Sequence, residues 1–188
     1  MARDLIATPS QTVGPFFHFS LTSTAALGEM ARPETPGERI RLRIRVTDGA
    51  GDPVPDAIVE LWQADAQGRF PQPAEVVPAA PAHTYPTWGR LPTGDDGWCE
   101  FGTIVPGPMP GPDTQAPHIN VCLFMRGLLR HVYTRIYFAG DGRLEGDPLL
   151  QLVAADRRST LLAQRSSPGV WQFEIRMQGP GETVFLNI

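Results

Sequence analysis

Apolar and polar residues alternate with a period of two along several short segments of this 188-residue chain. The clearest segment spans residues 39–46, where four arginines alternate with Ile40, Leu42, Ile44 and Val46. Successive side chains of a strand point to opposite faces, so the pattern predicts an amphipathic strand whose arginine row faces water or a partner. The same reasoning predicts strands at residues 57–63, 98–104, 118–125, 132–138, 160–164, 170–177 and 183–188.

Turn-forming residues separate these segments. The chain contains 19 glycines and 20 prolines, and they punctuate the apolar runs without forming a low-complexity tract. A sustained 3.6-residue period is absent from the sequence, although residues 24–30 allow one turn of helix and residues 147–157 allow a short one. The sequence therefore predicts an all-β protein, a β-sandwich of about seven or eight antiparallel strands with long Pro/Gly-rich loops.

The N-terminal segment has a different character from the rest. Residues 1–39 are irregular yet carry Phe16, Phe17, Phe19 and Leu21, and such a cluster is expected to leave water. We interpret residues 1–39 as an arm that packs on its own domain or on a partner, the sequence leaving both open. Residues 40–188 are predicted to form the single β-sandwich domain, which suits a chain of this length.

Charge and composition exclude several classes of function. The formal net charge is −4 and no run of basic residues occurs, which argues against a nucleic-acid or membrane partner. Neither a leader pattern nor an apolar run of about 18 residues is found, so we expect a cytoplasmic protein. Cys99 and Cys122 lie in predicted strands without zinc-ligand spacing and are expected to be reduced core residues.

Several motifs occur in an order that resembles a known family. Pro117-His118-Ile119-Asn120 is followed by Arg135-Ile136-Tyr137-Phe138, and further matches lie at residues 8–16, 61–68, 89–90 and 103–107. The first two resemble the Pro-Ala-His-Ile-His and Gln-x-Tyr-Phe signatures of the intradiol aromatic-ring dioxygenases, which open catechols with a non-haem ferric ion. The resemblance covers nearly the whole chain.

The ligand set of that family is degenerate in this sequence. The resemblance implies a ferric ion held by two tyrosinates and two histidines, and the four matching positions carry Phe70, Met109, His118 and Asn120. Ferric ion is a hard acid that prefers anionic oxygen donors. We therefore predict that this chain binds no iron and that His118 is a hydrogen-bonded structural residue.

The resemblance also implies a partner. Some members of the family combine two homologous chains, of which only the beta subunit holds Fe(III), and the pairs assemble into a higher oligomer. Segments 12–15 and 124–127 match those that line the entrance to the partner's iron, so Thr12, Gly14, Pro15 and Arg126 are predicted to contact a small aromatic substrate, which reacts with O₂. An arginine suits a carboxylated catechol because its planar guanidinium can bind a carboxylate through two hydrogen bonds.

Other interpretations remain open from the sequence alone. Arg126 could be a solvated turn residue, and Gly14-Pro15 could be a simple turn. The whole chain could instead be a non-catalytic, transthyretin-like β-sandwich that serves as a binding or scaffold module. A homomeric dioxygenase with a new ligand set is disfavoured by the loss of both tyrosines.

Overall fold

The computed structural model describes residues 7–22, 24–70 and 87–187. The Pro-rich, aperiodic sequence at 70–87 predicts a long loop, and most of it lies outside the described residues. Within these ranges the fold has eight strands: β1 (Arg39–Thr47), β2 (Ile58–Gln63), β3 (Trp88–Pro92), β4 (Trp98–Ile104), β5 (His118–Phe124), β6 (Val132–Phe138), β7 (Leu162–Ser167) and β8 (Val170–Arg176). Two short helices, α1 (Phe17–Leu21) and α2 (Pro148–Leu152), and 3₁₀ turns at Ala25–Gly28, Leu144–Gly146 and Arg158–Leu161 complete the described secondary structure.

The strands follow the order β3-β2-β5-β6-β7-β8-β1-β4. β6 and β7 are joined by only two residue pairs, Tyr137 with Leu162 and Phe138 with Ala163, so the arrangement divides there into two four-stranded halves. Their inner faces enclose one large apolar core. The prediction of an all-β sandwich is confirmed.

The expectation that all strands pair antiparallel is wrong for two pairs. β1 runs parallel to β8, and β6 runs parallel to β7. Parallel neighbours need a long crossover, and the connection from β6 to β7 supplies one that contains α2. Periodicity within a strand carries no information on the direction of its neighbour, so the sequence did not reveal these pairs.

The structure confirms that the apolar residues of β1 face the core. Ile40, Leu42, Ile44 and Val46 are at most 4% exposed, and β1 lies between β4 and β8. Three of the four arginines on the opposite face contact acidic or aromatic groups of this chain. Arg41 pairs with Glu29, Arg43 with Glu100 at 3.7 Å, and both Arg43 and Arg45 lie over the Trp98 ring.

Three of the strand predictions need correction. β3 was not predicted, because it is short and contains Gly89 and Pro92. The strand predicted at residues 183–188 is not formed in the described part, where Leu186 makes one isolated bridge to Tyr133. The first residues of the strand predicted at 160–164 belong to a 3₁₀ turn, and β7 begins at Leu162.

The regions where the sequence allowed helix do form short helical turns. α2 begins after Asp147, whose carboxylate accepts the N–H groups of Leu149 and Leu150, with Pro148 in the first turn. This is a capping arrangement that satisfies otherwise unpaired N–H groups. Cys99 and Cys122 are buried and free, as predicted. Within the described ranges, no helix has the length and apolar character needed to cross a bilayer.

Candidate functional site

The N-terminal arm is attached to the turn between β5 and β6. The Thr12 hydroxyl oxygen accepts the Gly127 N–H at 2.8 Å, and the Phe17 ring of α1 packs against Phe124 with centroids 5.7 Å apart. Gly127 has a φ of +93°, a left-handed conformation that favours glycine. Two segments more than a hundred residues apart in sequence thus meet at one end of the domain.

Arg126 extends from this turn toward solvent. Its side chain is 55% exposed, and its Nη2 atom lies 3.7 Å from Oδ2 of Asp56. The other oxygen of Asp56 lies 3.6 Å from Nε2 of His18, in α1. The guanidinium is therefore oriented by a loose ion pair but remains accessible to a further anion.

Gly14 and Pro15 lie between the two arm contacts and are exposed. The Gly14 carbonyl accepts the Phe17 N–H at 3.1 Å, and a methyl group added at Gly14 would meet no atom within 4 Å. No steric contact within the described chain therefore requires glycine here. The four predicted substrate positions lie in two connected segments, and a groove of about 220 Å³ lined by arm and turn residues lies beside them.

The four degenerate ligand positions lie elsewhere in the sandwich. His118 and Asn120 share one face of β5, as their spacing predicts. Met109 pairs through its backbone with Gln115, and Phe70, 38% exposed, ends the second described range. Only one of the four, His118, has a side chain that commonly binds metals.

A charged residue that the sequence reasoning missed occupies this region. Arg135, the partner of Asn120 in the β5–β6 register, donates from Nε to the Asn120 amide oxygen and from Nη1 to the Gln115 amide oxygen, both at 2.9 Å. A longer bond of 3.4 Å reaches the Tyr137 hydroxyl. The signal was present in the sequence, because Arg135 stands where the family signature has glutamine.

The network continues into the interior. The Tyr137 hydroxyl donates to Oδ1 of Asp147 at 2.9 Å, and Oδ2 of Asp147 accepts the Ala116 N–H at 2.9 Å. Both side chains are fully buried. Burial raises the pKa of Tyr137, which keeps its hydroxyl protonated as a donor.

His118 is held as a neutral imidazole. Its Nδ1 lies 2.8 Å from the Ala116 carbonyl oxygen, an acceptor, so Nδ1 carries the proton. Burial, followed by the positive charge of Arg135, lowers the pKa of His118 from 6.5 to about 4. The expected structural, hydrogen-bonded role of His118 agrees with this environment.

These residues do not fit a ferric ion. The Asn120 oxygen already accepts a hydrogen bond from a guanidinium, and that fixed positive charge would repel a trivalent cation beside it. Phenyl and thioether groups supply no anionic oxygen. Across the described ranges, no group of three or more His, Cys, Asp or Glu side chains could hold a metal.

A family model and two similar known proteins all indicate a dioxygenase. A family model described as dioxygenase matches residues 13–179. The chain is 39% identical to the protocatechuate 3,4-dioxygenase alpha chain of Burkholderia cepacia, with 96% of this chain and 97% of that protein covered. Identity to the beta chain of the same organism is 34%, with 84% of this chain and 66% of that protein covered.

A solved structure supports the fold. The dioxygenase domain of a dioxygenase and carbohydrate-binding protein fusion from Streptomyces sp. SirexAA-E superposes with a TM-score of 0.63 at 25% identity. The match covers 81% of this chain and 88% of that domain. The similarity thus extends over most of the sandwich.

Proposed function

Since this chain belongs to the family of intradiol ring-cleavage dioxygenases, we propose that it is the alpha subunit of a protocatechuate 3,4-dioxygenase and that a homologous beta subunit holds the Fe(III). The observation that carries the proposal is the similarity to an alpha chain over nearly the full length of both proteins. The loss of the ligand set, with Arg135 bonded to Asn120, supports the assignment of iron to the partner.

The proposed enzyme cleaves protocatechuate with O₂ to 3-carboxy-cis,cis-muconate. Both atoms of O₂ enter the product, and the bond between the two hydroxylated ring carbons is broken. This chain would contribute part of the substrate cavity next to the partner's iron. Such a role requires an exposed surface that is fixed in shape and carries a charge opposite to that of the substrate carboxylate.

Four residues are proposed to form that surface: Thr12, Gly14, Pro15 and Arg126. Arg126 supplies a permanent positive charge and a planar donor group, and more than half of its side chain is accessible. Thr12 ties the arm to the turn that carries Arg126. The open space over Gly14 would admit a ligand or the partner chain close to the backbone.

The arm has a second proposed task in assembly. Phe16 is 77% exposed and Phe19 is 63% exposed, although Phe17 between them packs on Phe124. Exposed aromatic side chains next to a proposed cavity suit burial by a partner protein. We therefore retain the division of the chain into an arm at residues 1–39 and a domain at residues 40–188. We further propose that the heterodimers assemble into a cytoplasmic oligomer without a nucleic-acid or membrane partner.

Coexpression tests the proposed function. The chain is produced alone and together with an iron-binding beta chain encoded in the same genome. We expect an iron-free, colourless protein alone and, with the partner, a coloured complex that converts protocatechuate and consumes one O₂ per substrate. A stoichiometric iron content in the isolated chain, or failure to form an active complex with the beta chain, would refute the proposal.

A further inference from the structure

Asp56 has an unusual backbone conformation. Among the described residues it is the one non-glycine residue with a positive φ, 61°, a conformation that asparagine and aspartate tolerate better than most residues. The surrounding loop is held by Thr93, which is 3% exposed: its carbonyl accepts the Asp56 N–H at 3.2 Å, and its hydroxyl oxygen accepts the Ala57 N–H at 3.0 Å. The strained residue is therefore fixed in place.

The side chain of Asp56 lies between a guanidinium and an imidazole from different parts of the chain. β2 and β5 pair antiparallel with Ile58 opposite Phe124, which places Asp56 beside Arg126 just beyond the paired strands. One carboxylate oxygen faces Arg126 and the other faces His18. The loop before β2, the arm and the β5–β6 turn thus converge on a single carboxylate.

Stability alone does not account for this arrangement. The ion pair with Arg126 and the contact with His18 are both longer than 3.5 Å, and the Asp56 side chain is 41% exposed. Solvent therefore screens these interactions, and they add little to folding. Backbone strain of this kind is found most often at functional sites. The strained residue carries the one acidic side chain that pairs with Arg126 in the described structure.

We propose that Asp56 is a positioning residue for substrate recognition, an inference that rests on the proposed function. Its carboxylate engages the Nη2 atom of Arg126 and leaves the remaining donors of the guanidinium for the carboxylate of the aromatic substrate. The contact with His18 holds the arm in register with Arg126. Asp56 acts through Arg126 and does not touch the substrate.

The expected effect is modest and specific. Exposed ion pairs contribute up to about 1 kcal/mol, which corresponds to a change of about two- to fivefold. In the assembled alpha/beta enzyme, Asp56→Asn should raise KM for protocatechuate by that factor and leave kcat unchanged. Turnover of unsubstituted catechol, which has no carboxylate, should keep its kcat/KM.

Two further variants separate charge from backbone. Asp56→Gly relieves the positive φ but also removes the carboxylate, so it should reproduce the KM effect of Asp56→Asn. Asp52→Asn removes an exposed carboxylate from the same loop and should leave both substrates unaffected. A loss shared equally by the two substrates, or a normal KM in Asp56→Gly, would overturn the inference.

A double-mutant cycle with Arg126→Ala decides whether Asp56 acts through Arg126. The effect of Asp56→Asn should vanish in the Arg126→Ala background, and its persistence there would overturn the inference. If Arg126→Ala selectively depresses protocatechuate turnover and Asp56→Asn does not, only this inference fails. If Arg126→Ala spares the ratio between the two substrates, the proposed function loses its carboxylate site and the inference fails with it.

Discussion

Replacing Arg126 by alanine tests the proposed cavity most directly. The side chain projects from the β5–β6 turn, is 55% exposed, and contacts Asp56 through a 3.7 Å ion pair. A hydrogen bond to a charged group contributes about 1.5–3 kcal/mol. If Arg126 binds the substrate carboxylate directly, its removal should lower kcat/KM for protocatechuate roughly ten- to a hundredfold.

The assay compares two substrates in the same assembled enzyme. Protocatechuate carries a carboxylate and catechol does not, so the ratio of their kcat/KM values isolates the contribution of the charge. Arg126→Lys should recover part of the loss, because lysine restores the charge but not the planar pair of donors. Arg130→Ala provides a matched control, since Arg130 is an exposed arginine in the same connection between strands.

Two results would refute this reasoning. Equal losses for both substrates would indicate that Arg126 stabilises the subunit interface and does not recognise the carboxylate. A loss in Arg130→Ala as large as that in Arg126→Ala would indicate a general electrostatic attraction of the anionic substrate. Iron content and sedimentation must be measured for each variant, because dissociation of the complex would lower both activities together.

Two further predictions concern the buried network. Asp147→Asn should lower the free energy of unfolding by about 1–3 kcal/mol in urea titration, because an amide NH₂ would then face backbone N–H donors, whereas exposed Asp156→Asn should have no effect. The pKa of His118 is about 4 in the folded chain, against an ordinary value of 6.5. Between pH 4 and pH 6.5 the unfolded state therefore binds more protons than the folded state. The free energy of unfolding should fall by up to about 3 kcal/mol as the pH drops from 6.5 to 4. His118→Gln should flatten that part of the pH–stability curve, and an unchanged slope would contradict the assignment.

Alternation of side chains was sufficient to predict most of the sandwich. It identified β1 and β8, each of which buries one face. It failed for β3, where Gly89 and Pro92 interrupt the pattern and pairing with β2 sets the conformation. It also failed for the strand predicted at 183–188. In the described part of that segment Val184 and Phe185 pack on the sandwich without joining a ladder, because burial and strand pairing are separate requirements.

Only those residues of the candidate site that lie within family motifs could be predicted from the sequence. Thr12 and Arg126 were identified from short segments, and the hydrogen bond between Thr12 and Gly127 could not be read from residues so far apart in sequence. Arg135 could be noticed only as a departure from the glutamine of the family signature, and Asp56 gave no sequence signal. Their roles depend on which residue lies opposite them across a strand pair, and that register becomes known only in the folded structure.

The hydrogen-bond network around Arg135 and Asp147 stabilises the sandwich at the positions that match the family's ligand motif. Replacing ligands by residues that cannot bind iron would leave buried polar groups without partners, at a cost of about 1–3 kcal/mol each. Here Arg135 binds both Asn120 and Gln115, and Asp147 accepts the Tyr137 hydroxyl. These hydrogen bonds join β5, β6 and the segment before α2 on the face where the family's ligand motif lies. β5 and β6 therefore keep the pairing that presents Arg126 at their connecting turn. This geometry supports the proposal that the chain contributes shape and charge to a partner's active site.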